Sequence, residues 1–226
     1  MGGVLRKARS IEDEGERAAF ISSKFIDTPY GENTLMGGPS TQEVFTVNLE
    51  AVDCFTFIEY VEAMRPAKDF QGFIENLKKV RYRSGNVSYE DRNHFFTDWR
   101  EYGLIRDVTA QVGGDFTLKA EKTLNEKGDG TCLLPGITPV KRTVDYIPSE
   151  AVGETVSGRL KAGDYAGIYS DVGGLDVSHV GVVVMTEGKI VFRHASSVAG
   201  KVVDEDFRIY LKGKPGLVIL RAASDR

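Results

Sequence analysis

Apolar residues recur at helical spacing through the first half of the chain and at strand spacing through the second. In NLEAVDCFTFIEYVEAM, Phe55, Ile58, Val61 and Met64 fall on one face of a helix that begins at Asp53-Cys54. Ser10, with Asp13 three residues on, predicts a capping box for a helix running to about Lys24. Phe70, Phe73, Ile74 and Leu77 predict another helix, and YEDRNHFFTDWREYG a further one closed by Gly103. Between the first helix and the Cys54 helix lies a glycine- and proline-bearing loop, DTPYGENTLMGGPSTQ.

From Val140 the period changes. PVKRTVDYI, GDYAGIYS, VSHVGVVVM, KIVFRHAS and GLVILRAAS are short, β-branched and separated by glycine-bearing turns, the pattern of antiparallel strands. Helices followed by strands predict an α+β fold in one domain over 1–226. Within it, 25–65 carries the loop and the Cys54 helix, 66–138 reads as a helical insertion, and 139–222 forms the sheet. The acidic run DEDF beginning at Asp204 reads as a surface turn.

Composition narrows the function. With 41% hydrophobic residues in 226, the chain can bury a full core. Its 29 Lys and Arg against 33 Asp and Glu give a net charge of −4 with the signs mixed. No basic stripe suggests nucleic acid, and no apolar run reaches the roughly 20 residues of a membrane span. Small or uncharged-polymer substrates fit better. The two cysteines, Cys54 and Cys132, form neither a CxxC pair nor a disulfide framework, and nothing in KGDGTCLLPG points Cys132 at Cys54.

Two of the three histidines flank one hairpin. TEGK forms a tight turn between the strands bearing His179 and His194. A two- or four-residue loop places His194 opposite Gly181 and His179 two residues along the same face, as diagonal neighbours roughly 7 to 8 Å apart at Cα. A three-residue loop would put them on opposite faces. A thiolate is the nucleophile, and free cysteine titrates near pH 8.5. A helix N-terminus and an adjacent imidazolium both lower that value, and the amides there can hold an oxyanion. A base needs a further polar group to fix its tautomer. Cys54, His179 and His194 thus supply nucleophile, base and orienter; the plain alternative is a buried helix cysteine with two structural histidines.

These residues resemble the NlpC/p60 family of papain-like cysteine peptidases and amidases of bacterial cell wall. The resemblance rests on Asp53-Cys54 at a helix start, SHVGVVV from Ser178 for the base, and His194 in RHASS. DTPYGENTLMGG is similar to the family's lead-in, which makes Tyr30 a candidate to line the site or the oxyanion hole. VDCFTFIEYV, RNHFFTDW, VDYIPSEAV, GDYAGIYSDVGGLDVSHVGVVV and HASS, in this order from about Phe25 to Leu220, resemble one branch long listed as a domain of unknown function. Its assigned members act as N-acetylmuramoyl-L-alanine amidases on muropeptides. Phe55 and Thr56 stand where many members carry serine and glycine.

The resemblance therefore implies a papain-like fold and a cysteine amidase without cofactor or metal, acting on peptidoglycan fragments as a monomer. It also implies a place in the cell envelope, periplasmic or secreted after removal of a signal. Asn93, His94, Trp99 and Ser178 join Tyr30 as substrate-binding candidates. Arg81, Arg83 and Arg92 nearby could pair with peptide carboxylates, and an aromatic face could stack on sugar; the plain reading is core aromatics and solvated arginines. Rival functions are an endopeptidase cutting between D-glutamate and the diamino acid, a zinc hydrolase using His179, His194, Cys54 and His94, and a wall-binding module without turnover.

Overall fold

The computed structural model describes residues 1–101 and 105–223. Its helices are α1 Gly2–Arg9, α2 Glu14–Ser22, α3 Cys54–Met64, α4 Phe70–Arg81, α5 Thr109–Gly113, α6 Glu154–Ser157 and α7 Phe207–Leu211. Its strands are β1 Met36–Gly38, β2 Thr41–Val44, β3 Ile105–Asp107, β4 Leu118–Leu124 and β5 Val140–Pro148, then β6 Tyr165–Tyr169, β7 Val177–Thr186, β8 Lys189–Ser196, β9 Lys201–Asp206 and β10 Gly216–Ala222. The main sheet runs β4-β5-β10-β6-β7-β8-β9, with β3 also on β10, and β1 pairs with β2 separately. These pairings are antiparallel, so the α+β class expected from the sequence holds.

Several boundaries differ from expectation. Ser10 ends α1 instead of starting a helix, its hydroxyl donating to the Lys7 carbonyl at 2.8 Å. Asp13 caps α2, accepting from the Glu16 N–H at 2.8 Å; an ionised carboxylate there also suits the positive end of the helix dipole. YEDRNHFFTDWRE forms turns and a 3-10 segment at Phe96–Glu101. Local side chains claim its main chain: Asp98 accepts from the Phe95 N–H at 3.0 Å, and Asn93 ties back to the Val80 carbonyl at 2.9 Å. Gly103, expected to close that helix, lies outside the described residues.

The insertion expected to be helical over 66–138 holds one long helix, α4, and contributes strands. β4 pairs along β5 from Leu118↔Tyr146 to Leu124↔Val140, and β3 takes the end of β10. The DEDF run is not a turn either: Asp204, Glu205 and Asp206 lie in β9, paired with β8.

The main sheet is covered on both faces. On one, Val180, Val182, Val184, Val218 and Leu220 pack with α2, α3 and α4. On the other, Ile168, Val183, Phe192, Leu217 and Ile219 pack with Val112, Val156, Phe207 and Leu211 of the shorter helices. Strand parity accounts for the division, successive side chains alternating between the faces.

α3 is buried continuously from Thr56 to Met64, which forces two carboxylates into the core. Glu62 accepts from Arg65 at 2.8 and 2.7 Å and from the Tyr165 hydroxyl at 2.8 Å, tying the helix to β6. Glu59 accepts from Arg81 Nε at 2.8 Å, tying it to α4. Breaking such a pair strands a charge: Arg81→Ala is expected to destabilise the fold by about 3–5 kcal/mol. Pairing Arg81→Met with Glu59→Leu should recover much of the loss in urea unfolding at neutral pH.

Candidate active site

The first turn of α3 is held by its own sequence. Asp53 is the cap, its Oδ1 accepting from the N–H groups of Phe55 at 2.9 Å and Thr56 at 2.7 Å. Thr56 Oγ1 returns the bond, accepting from the Asp53 N–H at 3.0 Å, so the two close a capping box. Phe55 packs edge-on against Trp99, with ring centres 5.9 Å apart. The two residues that depart from the family's serine and glycine therefore fix the helix start: Thr56 completes the cap and Phe55 anchors it to the core.

The turn at Glu187 and Gly188 has two residues, both at positive φ, and register runs from Thr186↔Lys189 to Val182↔Arg193. Continued one pair further, it sets His194 opposite Gly181, as the sequence implies. His179 Nε2 lies 2.8 Å from His194 Nδ1. A Cβ on Gly181 would fall 2.7 Å from the Phe192 ring, so this glycine admits Phe192, which stacks on His194 with centres 4.9 Å apart. Tyr210 of α7 packs on His194 at 4.9 Å and on Phe192 at 4.7 Å, so the three rings form one cluster.

His179 shares its sheet face with Val183 and Phe192, whereas α3 packs on the face of Val180 and Val182. Cys54 meets β7 at the main chain: the N–H groups of Val180, Cys54 and Phe55 act on its sulfur. Val180 adjoins His179, so the thiol reaches the strand one residue from the imidazole. Its charge also bears on Tyr30 and Tyr210.

Electrostatically the thiol and the two imidazoles rest neutral. Burial, then the Asp53 carboxylate, push the Cys54 thiol up to about 12, against those three N–H groups. Burial, then the charges of His194 and Lys214, hold His179 down to about 3. Burial lowers His194 as well, opposed by Glu205. The expectation of a thiol depressed by dipole and imidazolium is therefore corrected for the unliganded site: desolvation of both groups outweighs the helix terminus.

The other candidates divide. Tyr30 is half-buried beside Cys54, its N–H donating to the Gly200 carbonyl at 2.8 Å, and burial raises its phenol. Ser178 is exposed, its hydroxyl 3.4 Å from the Ile168 carbonyl. Trp99, fully buried among Phe55, Phe96 and Tyr165, offers no face to a sugar, and Asn93 is 4% exposed and bonded to Val80; for both, the substrate-binding expectation is corrected to a packing role. His94 bonds the Tyr89 carbonyl at 2.8 Å and lines a 290 Å³ cavity with Arg83, Arg92 and Asp98. Of the arginines, Arg81 and Arg92 are committed to Glu59 and Glu43.

Both cysteines are free. No group of three His, Cys, Asp or Glu side chains is placed to hold a metal among the described residues. Two members of the site escaped the sequence reading. Glu205 Oε1 lies 3.0 Å from His194 Nε2, and Tyr210 packs on both histidines. The alternation of VVDEDF, which puts Val203 and Glu205 on one face, was the signal for the first.

Fold and site define an α+β protein whose thiol-bearing helix meets a histidine-bearing antiparallel sheet. The chain belongs to the AmiA-like, N-acetylmuramoyl-L-alanine amidase-like family, whose model matches residues 20–217. A Legionella pneumophila protein assigned to the DUF1460 family model superposes with TM-score 0.81 at 23% identity, over 97% of this chain and 93% of its own. An N-acetylmuramoyl-L-alanine amidase from Bacteroides uniformis does so with TM-score 0.78 at 27% identity, over 93% and 99%. A Bacteroides fragilis protein provisionally called a xylanase gives 0.72 at 29%, over 88% and 98%. NlpC1 from Trichomonas vaginalis reaches TM-score 0.34, over 92% of this chain and 43% of its own at 16% identity. No curated protein matches the sequence.

The depressed histidines carry a signed consequence. His179 has a folded pKa below its unfolded value near 6.5, so its contribution is present above that pH and is lost as pH falls toward about 3. Between pH 7 and 4.5, His179→Gln should lose less unfolding free energy than the parent, by up to about 2–3 kcal/mol. Paired chemical denaturation at the two pH values measures it.

Proposed function

We propose that this chain is a cysteine amidase that cleaves the amide between N-acetylmuramic acid and L-alanine in muropeptides. The observation that carries the reading is Cys54 at the capped start of α3 with its sulfur at the Val180 N–H, one residue along β7 from His179, whose ring pairs with His194. The family and the Bacteroides uniformis amidase support the bond chosen. A papain-like arrangement, with the nucleophile at a helix start and the base on a sheet, is part of the proposal. So is action in the cell envelope, as a monomer and without a cofactor.

Because thiol and imidazole rest neutral, proton transfer accompanies attack. Sγ of Cys54 adds to the lactyl carbonyl while His179 takes the thiol proton. The main-chain N–H of Cys54, which the Asp53 cap leaves unclaimed, and the protonated phenol of Tyr30 would take the oxyanion in this mechanism. His179 then protonates the departing nitrogen of L-alanine, leaving a thioester on Cys54. Water, deprotonated by His179, hydrolyses it to the muramic carboxylate and regenerates the thiol.

The Bacteroides fragilis protein's name suggests no alternative at this centre. Glycosidases commonly use two carboxyl groups flanking the scissile bond. Here Asp53 is spent on the helix cap and Glu205 lies on His194.

Mass analysis of products from a defined disaccharide-peptide tests the reading. An intact peptide with N-terminal L-alanine is expected, and release of a disaccharide-dipeptide would assign the stem endopeptidase instead. Cys54→Ala should lower turnover by about 10³-fold or more while leaving the fold intact. Full activity in that variant would sink the proposal, and loss on chelation alone would favour a metal hydrolase.

A further inference from the structure

The histidine pair does not end at His194. Three side chains on successive strands make a diagonal row: His179 on β7, His194 on β8 and Glu205 on β9. The first contact is 2.8 Å between His179 Nε2 and His194 Nδ1, the second 3.0 Å between His194 Nε2 and Glu205 Oε1. The middle ring is 2% exposed and packed against both Phe192 and Tyr210, which also touch each other, so turning it to exchange its nitrogens would disturb both neighbours.

An ionised carboxylate only accepts hydrogen bonds, so the nitrogen facing it must carry a proton. With Nε2 protonated, a neutral His194 has its lone pair on Nδ1, and that nitrogen must accept from His179 Nε2–H. A neutral His179 so protonated is left with its lone pair on Nδ1, free for the thiol. We propose that Glu205 is a positioning residue that, through His194, holds both imidazoles in the Nε2–H tautomer and so turns the basic nitrogen of His179 toward Cys54. The proposal rests on the amidase reading for its catalytic meaning, but not for the tautomers.

A doubly protonated His194 would also satisfy both contacts. Burial disfavours that cation. The charged and titratable groups that bear on the row are Tyr210 on α7, itself influenced by Cys54, Lys214 beyond it, and Asp204 on β9, which is paired with Arg193 on the other face of the sheet. Lys214 sits 5.4 Å from the Tyr210 ring centre and opposes a cation on His179. Glu205, whose side chain is 44% exposed, is the member of the row that can balance the imidazolium formed during attack.

With three histidines in the chain, nitrogen-15 histidine spectra of the whole protein report each ring separately. At pH 7, His179 and His194 should both show a protonated Nε2 and a bare Nδ1. Glu205→Ala should give His194 a mixture of tautomers, whereas Glu205→Gln, whose amide oxygen can still accept, should keep the tautomer but lose the charge. On muropeptide, Glu205→Gln should lower kcat by about 10- to 100-fold with KM little changed, the scale of a charge-assisted hydrogen bond. Its acid limb should move to lower pH, because removing the carboxylate makes the imidazolium less stable. A parent spectrum with Nδ1 of His194 protonated, or a Glu205→Ala spectrum with unchanged tautomers, would overturn the proposal. An unmoved acid limb in Glu205→Gln would do the same for its electrostatic part. Failure of the amidase reading shows separately, as a parent inactive on muropeptide, and the spectra then decide the tautomers alone.

Discussion

The site depends on strand register, and the register depends on a two-residue turn. Glu187 and Gly188 both adopt positive φ, matching the right-handed twist of the strands they join. Because side chains alternate along a strand, one added residue there would send His179 and His194 to opposite faces. The β8–β9 pairing repeats the constraint: His194 faces Val203 and Phe192 faces Glu205, so His194 and Glu205 are diagonal neighbours on one face. Two diagonal steps across three strands make one row of polar contacts.

The second fixed point is the start of α3. A helix buried nearly all round has no polar stripe to orient it, so its rotation and height are set by specific contacts. Asp53 and Thr56 satisfy the first turn, Glu62 is held by Arg65 and Tyr165, and Glu59 by Arg81. These bonds hold the thiol against the amide of Val180 without a direct restraint on Cys54. Buried carboxylates on a helix are costly when unpaired, and among their partners Arg81 lies on α4 and Tyr165 on β6. The helix is thereby tied to both the sheet and the insertion.

Much of this was legible in sequence where one local rule dominates. The strands from Val140 onward follow a period of two, and TEGK prescribes a tight turn, so the pairing of His179 with His194 follows from parity. The helix at Cys54 follows from its cap and apolar spacing. What stayed hidden was set by tertiary partners. DEDF carries three charges in four residues and reads as a turn, yet Val202 is buried beneath it and β8 supplies the ladder. LKAEKTL gains a strand partner only because β5 runs beside it. Trp99 looked like a sugar platform because its neighbours are polar in sequence; in space they are Phe55, Phe96 and Tyr165.

In the proposed mechanism, the neutrality of Cys54 and His179 at rest and the imidazolium formed during attack pull in opposite directions. Burial that excludes water also strengthens every remaining electrostatic contact, so a cation formed there is stabilised mainly by charges the fold has already placed. Lys214 raises the cost of a proton on His179, and a carboxylate touching His179 directly would lower it, at the expense of a standing ion pair in the empty site. Placing the carboxylate one imidazole away is a compromise: Glu205 stays partly exposed at the sheet edge and meets His179 through a single packed ring. Such a row keeps the empty site uncharged at His179 and His194 while, under the proposed mechanism, giving the proton taken from Cys54 a counter-charge at the far end.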